Sequence, residues 1–475
     1  MAQLPLLFLI LQLLSFQLIP TSPHVDKNRQ TPPIFNEMER SGLQKFWSNP
    51  GRYAVSLPSD SGTRGVWQVR LTPEGSVWLM KYQAVVGAAG SPPTQSSTAI
   101  APADRTIWKT WVQARVARDR SAAQQAADAA NRAIRAGGSN PGRPTALNSD
   151  RNSNATGPHV IDAAGDTPTP LLTDPGPIPA SLLAAAGNPP PFAAVVTPMQ
   201  HTVCLDETEK FTYVDNVDVP QAYAYYRFPQ GVAVFRSPED DRELTSVFAA
   251  SGMSESEQRV ARAVSKLEGS FESINTYDTG YVSVGFLQFI TLDDGRHSLV
   301  DVLKTEKLRA PNDFDRDFHR FGIDISDDGV IVVVDPNTLA ELSGPDAVRK
   351  LVDDKRLIAV FQRAGRHSTP FRVAQVAVAR ANYWPADDAI IVNLGAGTIV
   401  GKVSDIVHSE AGLATLFDRK VNRGSCAPIS DVVGRIMQQH GLSKLSDVVR
   451  FERELIASLR YRGDFLNDTS LKQPR

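Results

Sequence analysis

Residues 254–289 read SESEQRVARAVSKLEGSFESINTYDTGYVSVGFLQF. Ser254 and Glu257 form a capping box, in which a helix-opening hydroxyl and a carboxylate one turn on satisfy each other's backbone N–H groups. Val260, Val264 and Leu267 then fall on one face of a helix. The helix is expected to end on Glu268, because Gly269 lets the backbone turn sharply there. A short hairpin is expected next. Its turn carries Asp278-Thr279-Gly280, and its return strand runs into Val284-Gly285-Phe286-Leu287-Gln288-Phe289.

A carboxyl at a helix end, facing a second carboxyl on a turn, has a chemical use. Cleaving a glycosidic bond needs a proton donor for the leaving oxygen. It also needs a group that stabilises the cationic sugar or directs water onto it. An apolar pocket keeps a glutamate protonated for the first task, and Phe271 and Tyr277 are the neighbours that would wall such a pocket. In this hairpin Asp278, Ser283 and Gln288 are expected to point into one cleft. Each residue also has a plain structural reading. Glu268 can be a solvated helix end, Asp278 a turn former, and Gln288 an ordinary strand residue. Their order along the chain favours the chemical reading.

The stretch resembles the lysozyme superfamily, which includes phage-type and goose-type lysozymes, lytic transglycosylases and certain chitosanases. Shared with it are the helix ending in an acidic Glu, the hairpin with an Asp, and Gly285-Phe286-Leu287-Gln288 as the family's Gly-apolar-apolar-Gln segment. The resemblance implies that Glu268 is the general acid and that Asp278 orients water or stabilises the cation. Ser283, Gln288, Tyr277 and Asn275 would bind substrate. Ser283 sits near where phage-type members place a Thr, and the Glu-to-Asp spacing is about one residue longer than theirs. Leu416 to Gly424 faintly resembles a helix-end segment of muramidase-like members, whose Asp and Asn line the lower groove. The fold class implied is α+β: a mainly helical lysozyme-like domain over 242–463 with a small β-hairpin as its lip.

The remaining organisation is read from pattern. The chain has 475 residues and a formal net charge of -2, so several domains are expected and no global field points to nucleic acid. Residues 5–20, PLLFLILQLLSFQLIP, are too short to span a membrane comfortably. They suit a secretory signal or N-terminal anchor within 1–25. A small β module plus helix is expected over 44–136. Its hairpin would run Trp67–Leu71, turn on Thr72-Pro73-Glu74-Gly75 and return through Val77–Met80. An Ala-rich helix follows over 105–136. Residues 137–200 are rich in Gly, Pro and Ala and are expected to be a disordered linker. Residues 201–241 read as β-rich. Asn154-Ala155-Thr156 matches a glycosylation acceptor.

Later helices are expected at 298–307, 312–320, 344–364, 368–383, 402–421 and 428–461. A second hairpin is expected, with strands 323–325 and 330–334 joined by Asp327-Asp328-Gly329. Asn393 to Thr398 is Gly-rich but lacks the phosphate-loop and dinucleotide fingerprints, and is expected to be a turn. Asp313, Asp315 and Asp317 alternate without the Gly and Glu of a calcium loop, so a helix surface is expected. Ser283 lacks the first Gly of a GxSxG nucleophile elbow. Cys204 and Cys426 are far apart in sequence and leave a bridge and two free thiols open. The expected partner is cell-wall glycan, peptidoglycan first and chitin or chitosan next, met at the envelope or outside the cell. Neither metal nor cofactor is called for. The rival reading, from another class, is a non-catalytic glycan- or protein-binding module of an envelope or phage-like assembly.

Overall fold

The computed structural model describes residues 33–57, 68–86, 102–135, 171–207, 209–215, 228, 231–234, 241–267, 269–278, 280–394 and 397–475. The apolar run 5–20, Trp67, Asn154, the first part of the expected linker (137–170) and Glu268 lie outside the described residues. The chain is a helix-rich α+β protein with several small antiparallel sheets.

The first part holds α1 (Glu37–Trp47), β1 (Tyr53–Ser56), β2 (Gln68–Leu71), α2 (Pro73–Val86), α3 (Pro102–Arg135), α4 (Ala180–Ala186), β3 (Ala193–Val196), β4 (Gln200–Cys204) and β5 (Lys210–Val214). Two expectations are corrected here. Residues 73–86 are helix, not the return strand of a hairpin. Thr72 Oγ1 accepts from the Gly75 N–H at 3.0 Å, so Thr72-Pro73-Glu74 caps a helix instead of making a β-turn. Pro at the first helical position suits that start. β2 finds its partner far along the chain, in β3, with Leu71 opposite Ala193. Residues 171–200 are not linker. They carry α4 and β3, because Leu182, Ala186 and Phe192 bury against Trp78, Trp108 and Trp111. That apolar gain outweighs a loop-like composition. Trp78 therefore fills a core, with its indole N–H on Gly187 O at 3.0 Å.

β1, β4 and β5 form one sheet in that order. α1 opens on Asn36, whose side chain caps it in a box with Glu39. It docks far downstream. The Glu341 carboxylate accepts from the backbone N–H of Ile34 and of Phe35, both at 3.1 Å, and from Arg40 at 3.1 Å.

The second part holds β6 (Ala233–Val234), α5 (Asp241–Ala250), α6 (Glu255–Ser265), β7 (Ile274–Asn275), β8 (Ser283–Val284), β9 (Phe289–Ile290), α7 (Ser298–Arg309), α8 (Pro311–Asp317), β10 (Ile323–Ile325), β11 (Ile331–Val334) and β12 (Glu341–Ser343). It continues with α9 (Pro345–Asp353), α10 (Lys355–His367), α11 (Thr369–Tyr383), β13 (Ala389–Leu394), β14 (Gly397–Lys402), α12 (Glu410–Arg423), α13 (Ile429–Gln439) and α14 (Glu452–Leu459). The expected helix 344–364 is two helices. Asp354 breaks it by accepting from the Arg356 N–H at 3.1 Å and capping α10. The expected helix 402–421 begins only at Glu410, after the β13–β14 hairpin, in which Asn393 pairs with Thr398 and Leu394 with Gly397. Ser368 caps α11 as expected.

Three cores result. The main one runs from Phe35 to Leu471 and wraps α10 and α11, and a second lies under β13, α13 and α14. The third joins α2, α3 and α4 and takes in Tyr277. Cys204 and Cys426 are free thiols. Burial pushes the Cys426 thiol up, helped by Asp388, to which it donates at 3.3 Å. Among the described residues no helix is long and apolar enough to cross a membrane.

Candidate active site

The site is built on α6 and the four-stranded sheet β6-β7-β8-β9. The α6 capping box forms as read. Ser254 N–H donates to Glu257 at 2.8 Å, and Ser254 Oγ accepts from Glu257 N–H at 3.3 Å. Val260 and Val264 are wholly buried, so the helix packs inward along its second half. Glu410, at the start of α12, ties α6 from outside. It accepts from Arg259 at 2.7 Å, Ser256 at 2.7 Å and the Lys472 N–H at 2.9 Å. Burial opposes the charged form of Glu410, yet these donors outweigh it and bring its pKa down to about 2.

α6 gives out at Ser265, and Gly269 N–H still reaches Ser265 O at 3.1 Å. Gly269 has φ +150°. Glu268 stands between Leu267 and Gly269, which are both fixed. Leu267 O accepts from Arg462 at 3.4 Å, and Arg462 is in turn held by the buried Asp418 at 2.8 Å. Asp418 also takes the Asn422 side chain on its backbone carbonyl, at 2.7 Å. The Asp and Asn of the 416–424 segment thus brace the residue before Glu268. Beside Gly269 lies a small concavity lined by Leu244, Phe248, Ser265, Ser270, Phe271 and Phe286. Its wall is mostly apolar.

The sheet collects the polar candidates. Asn275 pairs across the ladder with Ser283, so the two side chains share a face. Asn275 Oδ1 accepts from the Tyr277 N–H at 3.0 Å, and its Nδ2 donates to Asp278 Oδ2 at 2.8 Å. Asp278 Oδ1 accepts from the Gly280 N–H at 2.9 Å. Asp278 is 2% exposed, and both of its oxygens are engaged within the turn. Ser283 is 1% exposed, and its Oγ has no hydrogen-bond partner among the described residues. Gln288 donates to Gly285 O at 3.0 Å, while its Oε1 is likewise buried and without a partner there. Tyr277 is placed otherwise than as an open wall. It packs in the third core with Trp78 and Phe192, where the first part of the chain meets the sheet.

The backbone here is tightly bent. Tyr281 and Gln288 both have positive φ, 62° and 53°, which non-glycine residues adopt at a cost of about 1–3 kcal/mol each. Gly285 has φ +87°, and a Cβ there would lie 2.6 Å from the Gln375 Cδ. Replacing Gly285 by Ala therefore meets both left-handed strain and a clash with a buried amide. The expected loss is about 3 kcal/mol, read as a lowered urea midpoint at unchanged slope. A loss under about 1 kcal/mol would mean the turn is not as described.

Two contributors were not picked out from the sequence. Gln375, wholly buried on α11, bridges Phe271 O and the Phe286 N–H, both at 3.2 Å. Its signal was a polar residue on the buried stripe of Phe371 and Val378. Glu272 is buried and paired with Arg366 of α10 at 2.6 Å, so it serves as a strut beneath the hairpin. Among the described residues no cluster of His, Cys, Asp or Glu suits a metal ion.

Comparisons of this chain with family models, with curated proteins and with solved structures return no match.

Proposed function

We propose that the protein cleaves glycosidic bonds in a β-1,4-linked amino-sugar polymer, peptidoglycan first, through a lysozyme-like domain in its C-terminal half. Glu268 donates the proton to the leaving oxygen. Asn275, Ser283 and Gln288 hold the sugar, and Asp278 sets Asn275. The observation that carries the reading is the pair of buried, unengaged atoms, Ser283 Oγ and Gln288 Oε1. Ser283 sits on the small sheet that follows the end of α6, and Gln288 in the turn between its strands β8 and β9. Buried polar atoms without partners are costly, and a hydroxyl-rich ligand would satisfy them. Both Asp278 oxygens already accept bonds within the turn. This favours a single-acid route, in which a sugar hydroxyl closes the ring, over a hydrolase in which Asp278 directs water. Residues 1–25 would send the protein to the envelope or outside the cell, and the α2–α4 part would hold it near its polymer.

The test is turbidity clearing and release of new chain ends from peptidoglycan and from chitosan, with the full chain and with Glu268→Gln. General-acid removal is expected to lower the rate by about 10²–10⁴-fold with an unchanged circular dichroism spectrum. New reducing ends would point to hydrolysis, and ring-closed ends to the single-acid route. Undiminished cleavage by the variant would sink the assignment of Glu268. If neither protein cleaves but both sediment with the polymer, the rival binding-module reading takes its place.

A further inference from the structure

We infer that Gln375 is a positioning residue, a buried brace that fixes the distance between the segment following Glu268 and the turn carrying Gln288. The inference rests on the glycan-cleaving reading of the same site. Phe271 lies three residues beyond Glu268, and Phe286 lies two before Gln288. One amide reaches both. Its Nε2 donates to Phe271 O and its Oε1 accepts from Phe286 N–H, each at 3.2 Å. The side chain is 0% exposed, so neither backbone group has water as a substitute.

The local sequence is shaped to let this amide in. Gly285 leaves the space that a Cβ would take from Gln375. Its own N–H goes to Ser273 O at 2.8 Å, and its carbonyl accepts from both the Gln288 N–H and Gln288 Nε2, each at 3.0 Å. The brace therefore runs from α11 through Phe286 and Gly285 to Gln288. Gly365 lets α10 approach the other anchor, because a Cβ there would lie 2.7 Å from Glu272 Cα. Shifts of about 1 Å in such geometry cost on the order of 10²-fold in rate.

The test uses the full chain with Q375L, which removes both bonds, and Q375E, which keeps the volume and the acceptor but loses the donor. In Q375L the Phe286 amide is expected to lose at least about tenfold of its hydrogen-exchange protection while the α6 amides keep theirs. On peptidoglycan kcat is expected to fall about 10²-fold, with KM within about threefold. Q375E carries the sharper signature. At the alkaline end of the profile, above a carboxyl pKa that burial raises, its introduced carboxylate faces the Phe271 carbonyl and activity drops. Towards pH 5 the carboxyl takes up a proton, donates to that carbonyl, and the ratio to wild type recovers. A Q375E loss that is the same at every pH, or a Q375L kcat within twofold of wild type, would overturn the positioning role. If the wild-type protein cleaves no glycan, the functional reading fails, and Phe286 exchange alone then decides whether the brace exists.

Discussion

Replacing Phe286 by alanine is expected to cost about 4 kcal/mol of folding stability. The ring is 2% exposed and lies among Phe271 at 5.0 Å, Phe248 at 5.9 Å and Phe289 at 6.0 Å between centroids. Phe271 is held through its carbonyl by Gln375 of α11, Phe289 is paired with Val284 in the sheet and Phe248 lies within α5, so the hole cannot simply collapse. The backbone bond from residue 286 to Gln375 survives in the variant, since alanine keeps its N–H. The loss is therefore one of packing. Urea denaturation reads it as a lowered midpoint at unchanged slope. Val400→Ala is the control, at a side chain 68% exposed, and should change stability by less than about 0.5 kcal/mol. Equal effects at the two positions would mean that the aromatic cluster does not form.

The second large effect is one of pH. Glu306 on α7 is 1% exposed. Burial raises its pKa, and Asp317 at the end of α8 raises it further, to about 9. Asp317 is held at its other oxygen by Arg363 at 3.2 Å, and Ser368 donates to Glu306 at 3.4 Å. Glu306 Oε2 and Asp317 Oδ2 are both buried without a hydrogen-bond partner among the described residues. The folded-state value lies above the unfolded one of 4.5. The stabilisation from the Glu306 proton is thus complete below about pH 4.5, and it is lost as pH rises towards 9. The loss across that window is on the order of several kcal/mol. Glu306→Gln keeps a neutral donor towards Asp317. Its melting temperature is expected to stay flat between pH 6 and 9 where the wild-type value falls, so that the variant is the more stable protein at pH 9. Parallel curves for the two proteins would show that Glu306 is not protonated in the fold.

What could be read from the sequence was what local chemistry decides. Ser254 with Glu257 announced α6, Ser368 announced α11, and Asp327-Asp328-Gly329 announced the β10–β11 hairpin, because in each the signal and its consequence lie within a few residues. Thr72-Pro73-Glu74-Gly75 shows the limit. The same four residues serve a β-turn and a helix start, and the Gly75 N–H settles the matter by bonding Thr72. Pairings across long separations left no local mark. Nothing near Leu71 names Ala193 as its partner, and nothing near Tyr277 announces Trp78. At the site, the types and order of Asn275, Asp278, Ser283 and Gln288 were legible. That Asp278 would be engaged by Asn275 and Gly280 was not, nor was the brace from Gln375, which depends on a helix about ninety residues away.

The docking of α1 has a consequence for the timing of synthesis. Ile34, Phe35 and Arg40 are satisfied by Glu341, some three hundred residues later. At about 5–20 residues per second, the ribosome needs on the order of 15–60 s to supply that carboxylate. Throughout the interval Phe35, Leu43 and Trp47, all buried in the finished protein, have no complete surface to cover them. The nascent chain thus presents an apolar, unanchored segment, shortly after the apolar run 5–20, for most of its elongation.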